Sequence, residues 1–290
     1  MAGSNQTLRR RQLASRLRAL RHASNLTVEQ VAQQLLCSPA KISRLETGQR
    51  GASLRDVRDL CRIYDVPEET VTHLMNLARE SRQPGVKHEL GDLGNDNLYM
   101  YMDLEAAAFS ITELQITFLP ALFQTEEYAR TLIEGLLPGI RSDVLDRRVE
   151  ARIKRQQLHT QKEPPRYWTF IDEAALRRLV GDRALMIAQL ERVLDLARLP
   201  HVTIQVIPFT QGPYMCADSP FVMFEIKDPT LSKVVYRESP DRAEYLEKPA
   251  EIEIFQEAVD SIRAVAMPPK ESIKRIARAI SDFSEIGPQE

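Results

Sequence analysis

Apolar residues recur at helical spacing through the first eighty positions. Leu13, Leu17 and Leu20 form one stripe, and Val28, Val31, Ala32 and Leu35 a second. Ile42 with Leu45 makes a third, Leu54, Val57, Leu60, Cys61 and Tyr64 a fourth, and Val71, Leu74, Met75 and Ala78 a fifth. Spacing of i, i+3, i+4, i+7 gathers such residues on one helix face. The pattern therefore predicts five short helices that pack as an all-α domain over residues 1–80. The breaks between stripes carry the matching chemistry. Ala23-Ser24-Asn25 reads as a turn; Thr27 with Gln30 forms a capping box; Ser38 caps a helix that has Pro39 at its first position. Gly48 supplies a left-handed stop, Ser53 caps the fourth helix, and Pro67 precedes the fifth.

Periodicity is interrupted over 81–98, where Pro84, Gly85, Gly91, Gly94 and Asn95 predict a linker. A second domain is expected over 99–284. Leu98, Met102, Glu105 and Phe109 fall at helical spacing, and 110–118 alternates as a strand stopped by Pro120. Helices are expected at 126–137, 143–161, 173–180, 183–198, 249–266 and 271–283. Strands are expected at 166–171, 201–208, 220–226 and 232–236. Irregular mixing of the two predicts an α+β domain, in preference to a doubly wound sheet.

The distribution of charge says more than overall composition. The 290-residue chain has a net charge of only −2, but the residues through Gly85 carry 14 Lys+Arg against 8 Asp+Glu, a net of +6, and the remainder 25 against 33, a net of −8. A basic head on an acidic body suits a nucleic-acid-binding module joined to a partner-binding or sensing one. Cys37, Cys61 and Cys216 show neither metal spacing nor a disulfide framework, and the five histidines have no ligand spacing, so neither metal nor cofactor is expected. No run of about 18 apolar residues spans a membrane and no signal peptide opens the chain, so a cytoplasmic location, on the nucleoid when DNA is bound, is expected.

The third helix has an outward face made of Ala40, Lys41, Ser43, Arg44 and Thr47, basic and short, the kind of surface that enters a major groove. Ala40, Ser43 and Arg44 are the expected base readers, with Lys41 expected on phosphate. Ser38, Pro39 and Thr47 flank them, and Arg9, Arg10, Thr27, Gln33, Gln49 and Arg50 are expected along the backbone.

Residues 16–65 resemble the Cro/repressor-type (XRE) helix-turn-helix family. The resemblance is carried by Leu26-Thr27-Val28-Glu29-Gln30-Val31-Ala32 and by Ser38-Pro39-Ala40-Lys41-Ile42-Ser43-Arg44-Leu45-Glu46-Thr47-Gly48. It implies that Arg21 and Glu46 form a structural ion pair and do not read DNA. Two positions depart from the family: Val28 stands where Gln is usual, and Leu36 where the turn favours Gly. A second set of blocks comprises Leu119-Pro120-Ala121-Leu122-Phe123-Gln124-Thr125-Glu126-Glu127-Tyr128-Ala129, Arg152-x-x-Arg155-Gln156, Asp172-Glu173-Ala174-Ala175-Leu176-Arg177-Arg178 and Val202–Phe209. Together these are similar to the antitoxin-like domain of actinobacterial WhiJ-type developmental regulators. That similarity implies a small protein partner, often encoded nearby; Trp168 and Phe170 stand where those regulators often have aliphatic residues.

The expected function is thus a sequence-specific, double-stranded-DNA-binding transcriptional regulator, a homodimer whose C-terminal domain receives a small protein. An antitoxin-like protein that sequesters that partner is the rival reading, followed by a small-molecule-sensing repressor. Catalysis is not expected. Asp172 is explained as a helix cap, no nucleophile elbow or phosphate loop occurs, and Cys216, in the loop 211–220 with Tyr214 and Asp218, has no neighbouring base in sequence.

Overall fold

The computed structural model describes residues 6–82, 93, 96–227, 232–239 and 242–285. Its contacts divide into two compact units. The first contains α1 (Gln6–Ala23), α2 (Val28–Gln34), α3 (Pro39–Glu46), α4 (Leu54–Ile63) and α5 (Glu68–Glu80). All five apolar stripes converge on one core, in which Leu17, Val31, Ile42, Val57 and Leu74 are fully buried. The helix α6 (Asp96–Ala107) groups with this unit, and its Asp103 carboxylate accepts the Leu8 N–H at 3.4 Å.

The ends of α1, α2 and α4 share one device. Asn25, Leu36 and Asp65 all have positive φ, at 53°, 50° and 50°. At each, two backbone bonds close a Schellman motif: Asn25 and Leu26 N–H donate to His22 and Arg21 O, Leu36 and Cys37 to Gln33 and Ala32 O, and Asp65 and Val66 to Arg62 and Cys61 O. Gly48 (φ 70°) follows α3. The turn between α2 and α3 is therefore not reshaped to suit Leu36. The leucine takes the left-handed conformation at a position where it is 93% exposed.

The second unit is built on a six-stranded mixed sheet of order β3-β2-β1-β4-β5-β6. The strands are β1 (Ala108–Gln115), β2 (Arg166–Asp172), β3 (Val202–Ile207), β4 (Phe221–Ile226), β5 (Lys233–Ser239) and β6 (Arg242–Leu246). β1, β2 and β3 run parallel; β4, β5 and β6 extend β1 as an antiparallel meander. The parallel half is wound through α7 (Glu126–Leu136) and α8 (Ser142–Arg155) between β1 and β2, then α9 (Glu173–Arg177) and α10 (Arg183–Leu196) between β2 and β3. Two helices close the chain, α11 (Pro249–Val265) and α12 (Pro269–Glu285). Phe255, Ala258, Val259 and Ile262 of α11 pack on Leu114, Phe170, Phe221, Met223 and Val235 of one sheet face. β3 is an edge strand whose free backbone is covered: Val206 N–H donates to Ser272 Oγ and Val206 O accepts from Met267 N–H, both at 2.8 Å.

The fold is an all-α head followed by an α+β domain, with a parallel β-α-β half inside the latter. Several boundaries differ from the sequence pattern. β1 begins two residues earlier than the alternation indicates, directly from α6. The helix expected through 161 ends at Arg155 and tightens into a 3₁₀ turn over Gln156–Thr160. The helix after Asp172 stops at Arg177, ahead of Gly181 at φ 69°. β6 was not legible because its charged sequence, RAEYL, is that of a solvent-facing edge. The expected linker lies for the most part outside the described residues.

Candidate DNA-binding surface

The helix pair α2–α3 is fixed at each end by side chains close to it in sequence. Gln30 N–H donates to Thr27 Oγ1 at 3.2 Å while Thr27 N–H donates to Gln30 Oε1 at 2.8 Å, a complete capping box. Ser38 Oγ accepts the Lys41 N–H at 3.2 Å. Ile42, Leu45 and Glu46 are the buried side of α3. Ser38, Pro39, Ala40, Ser43, Arg44 and Thr47 lie exposed along the opposite side, and Gln49 and Arg50 continue that exposed run beyond Gly48. Thr27 and Gln33 are exposed on α2. Arg44 Nε donates to Ala40 O at 3.2 Å, which lays its guanidinium along the helix surface. The Thr47 hydroxyl donates to Ser43 O at 3.0 Å.

Glu46 turns inward to Arg21. Nε of Arg21 is 2.8 Å from Oε1 and 3.1 Å from Oε2, Nη2 is 3.0 Å from Oε2, and Nη1 donates to Leu26 O at 2.8 Å. The two side chains are only 9% and 5% exposed. Hydrogen bonding to Glu46 raises the Arg21 pKa against the opposing effect of burial. One guanidinium thus ties the end of α1, the entrance to α2 and the last turn of α3 together.

The α1 arginines divide. Arg9 is engaged by Glu80 at 2.9 Å and by Gln12 at 3.0 Å. Arg10 lies with its Cδ against Gly51, and Arg11 with its Cγ against Gly48. The loop that leaves α3 therefore rests on α1, so Arg10 and Arg50 come from neighbouring segments.

Lys41 is in a different situation from its neighbours. Its ammonium sits 2.5 Å from Asp56 Oδ1, with the two side chains 23% and 14% exposed. Asp56 Oδ2 accepts from Ser53 N–H at 3.0 Å and from Ser53 Oγ at 2.6 Å, closing the capping box of α4. Burial pushes the Asp56 pKa up, but hydrogen bonds from Lys41 and Ser53 outweigh it and leave the carboxyl below its ordinary value. Asp56 is the residue that the sequence pattern missed. The Ser-x-x-Asp spacing of the box was the available signal; nothing in it pointed to Lys41.

In the second unit, two of the blocks that stand out in sequence meet at one loop. Gln124 Nε2 donates to Leu119 O, Arg152 Nη1 donates to Gln124 Oε1, and Gln156 Nε2 donates to Gln124 O. Gln189, fully buried, donates to Phe123 O at 2.9 Å and accepts the Thr125 N–H at 2.7 Å. Asp172 caps α9 through the Ala174 N–H at 2.8 Å and accepts the Tyr214 hydroxyl at 2.7 Å. Glu173 is held by Arg177, Arg275 and the Phe209 N–H. Burial pushes the Cys216 thiol pKa up. Among the described residues, no group of three or more His, Cys, Asp and Glu could hold a metal ion, and no helix is long and apolar enough to cross a membrane.

Two family models match the chain. Residues 12–74 match a helix-turn-helix domain, and residues 98–278, more than half of the chain, match a domain of unknown function (DUF5753). No curated protein and no solved structure matches.

Proposed function

The chain belongs to the family defined by the domain of unknown function DUF5753 and carries a helix-turn-helix domain ahead of it, and from that membership we propose a sequence-specific transcriptional regulator of XRE type. The observation that carries this reading is the division of α3. Every large apolar side chain of that helix is buried, while Ala40, Ser43 and Arg44 stand exposed in a row. In this reading those three meet base edges, with Arg44 swinging off its own helix to fork onto a guanine. Ser38, Pro39 and Thr47 border the groove, and Thr27, Gln33, Gln49, Arg50, Arg10 and Arg9 follow the phosphates. Arg21 and Glu46 orient the helix and touch no DNA.

The C-terminal domain is read as the partner-binding and dimerising module, of the antitoxin-like kind that the WhiJ-type resemblance implies. Its acidic balance supports a role away from the phosphates. Selection of bound duplexes from a random pool tests the DNA reading whatever the operator sequence is. Wild type is expected to enrich one motif, and Arg44→Ala to lose the preference at one guanine, worth about 1–3 kcal/mol of discrimination. Enrichment of the same motif by Arg44→Ala would remove Arg44 from the reading set.

A further inference from the structure

Lys41 and Asp56 come from different helices, and their pairing bears on how the head divides its basic charge. The ammonium projects from the first turn of α3, between the exposed Ala40 and Ser43. It is drawn instead onto the first turn of α4, at 2.5 Å from a carboxylate that is fixed by two further hydrogen bonds from Ser53. We infer that Asp56 is a specificity-determining residue for DNA, which withholds Lys41 from the phosphates and so keeps α3 selective for base contacts.

The inference rests on the DNA-binding reading above. Its physical basis is that a cation on phosphate adds affinity for every sequence alike, whereas base contacts discriminate. The lysine stem is long and the ammonium can swing; what keeps it from the nearby backbone is a carboxylate already ionised and anchored by the α4 cap. Neutralising that carboxylate leaves an oxygen able to accept from Ser53, so the cap survives while the ammonium is released.

The test is a salt titration of the full-length chain on a 20-base-pair duplex of random sequence, in wild type, Asp56→Asn, Lys41→Met and the double variant. Each phosphate neutralised adds about 0.9 to the slope of log affinity against log salt. Asp56→Asn is expected to steepen the slope by about 0.9 and to tighten low-salt binding, and adding Lys41→Met is expected to abolish the change. Thermal melts establish that each variant is folded; if Asp56→Asn is not, Lys41→Met alone decides. A slope shallower by about 0.9 in Lys41→Met would mean that the ammonium leaves Asp56 for phosphate in the wild-type complex, and the inference fails. It also fails if folded Asp56→Asn keeps the wild-type slope. Absence of salt-dependent binding by wild type would overturn the DNA reading and this inference together, so the two failures are distinct.

Discussion

At the scale of single residues, the head is stabilised by a buried charge pair whose two halves are unequal in their consequences. Arg21 makes four hydrogen bonds to Glu46 and Leu26 O in a nearly dry setting. Removing only the carboxylate strands a buried guanidinium, so Glu46→Ala is expected to lower unfolding stability by about 3–5 kcal/mol. Replacing both partners by apolar residues, as Arg21→Met with Glu46→Leu, is expected to cost far less. Urea unfolding of the two variants measures the difference; equal losses would mean that the pair is not what holds α1 to α3. A second residue-scale expectation concerns His159. It is 6% exposed and its ring packs against Phe123, Tyr167 and His201. Burial, then the charges of His201 and Arg192, bring its pKa down to about 4. The unfolded chain, with an ordinary histidine near 6.5, takes up the proton first as pH falls. The contribution is therefore complete above pH 6.5 and lost as pH drops toward 4, by about 2–3 kcal/mol between pH 7.5 and 4.5. His159→Phe should flatten that part of the stability profile, and an unchanged profile would exclude His159 as its source.

At the scale of elements, the local signals were legible and the long-range ones were not. The capping boxes at Thr27 and Ser53 and the proline at the start of α3 are all written within four residues, and the helices they begin are where the apolar phase puts them. The Schellman ends of α1, α2 and α4 are equally local, and two of them use Asn25 and Asp65, which tolerate positive φ. Leu36 does not. Its side chain is exposed and has no packing to offset roughly 1 kcal/mol or more of left-handed strain. Leu36→Gly is expected to stabilise the chain by up to about 1 kcal/mol in a chemical melt, the larger unfolded-state entropy of glycine offsetting part of the relief. A loss of stability there would show that the leucine does packing work that its exposure conceals. The loop 119–125 shows the opposite case. Its clamp, Gln189, lies 64 residues from Thr125 and has a polar side chain at 0% exposure. Helical phase reports such a residue only as an irregular polar intrusion. Gln189→Leu would leave the Thr125 N–H and the Phe123 carbonyl without that partner, at about 1–3 kcal/mol each. The Lys41–Asp56 contact was hidden for a similar reason, since it joins two side chains 15 residues apart on different helices.

At the scale of the whole molecule, charge sets the two parts of the chain apart. The residues through Gly85 carry a net of +6 and the rest a net of −8. On a duplex, the basic surface releases counterions while the acidic body is repelled, so affinity should fall steeply with salt and depend on how many heads engage together. Two of the head's cations are already held in little-exposed pairs, Lys41 with Asp56 and Arg21 with Glu46. If about three phosphates are neutralised per head, the slope of log affinity against log salt is near −3 for one head and near −5 to −6 for two. A dimer reading half-sites one helical turn apart, about 10 base pairs centre to centre, requires the steeper value on a duplex with both half-sites and the shallower one on a duplex with a single half-site. Sedimentation of the two complexes fixes the number of chains bound. Two chains on the double site with the slope near −3 would mean that one head of the pair is idle. One chain on either duplex would remove the dimer from the proposed mechanism, leaving the α3 surface to bind alone.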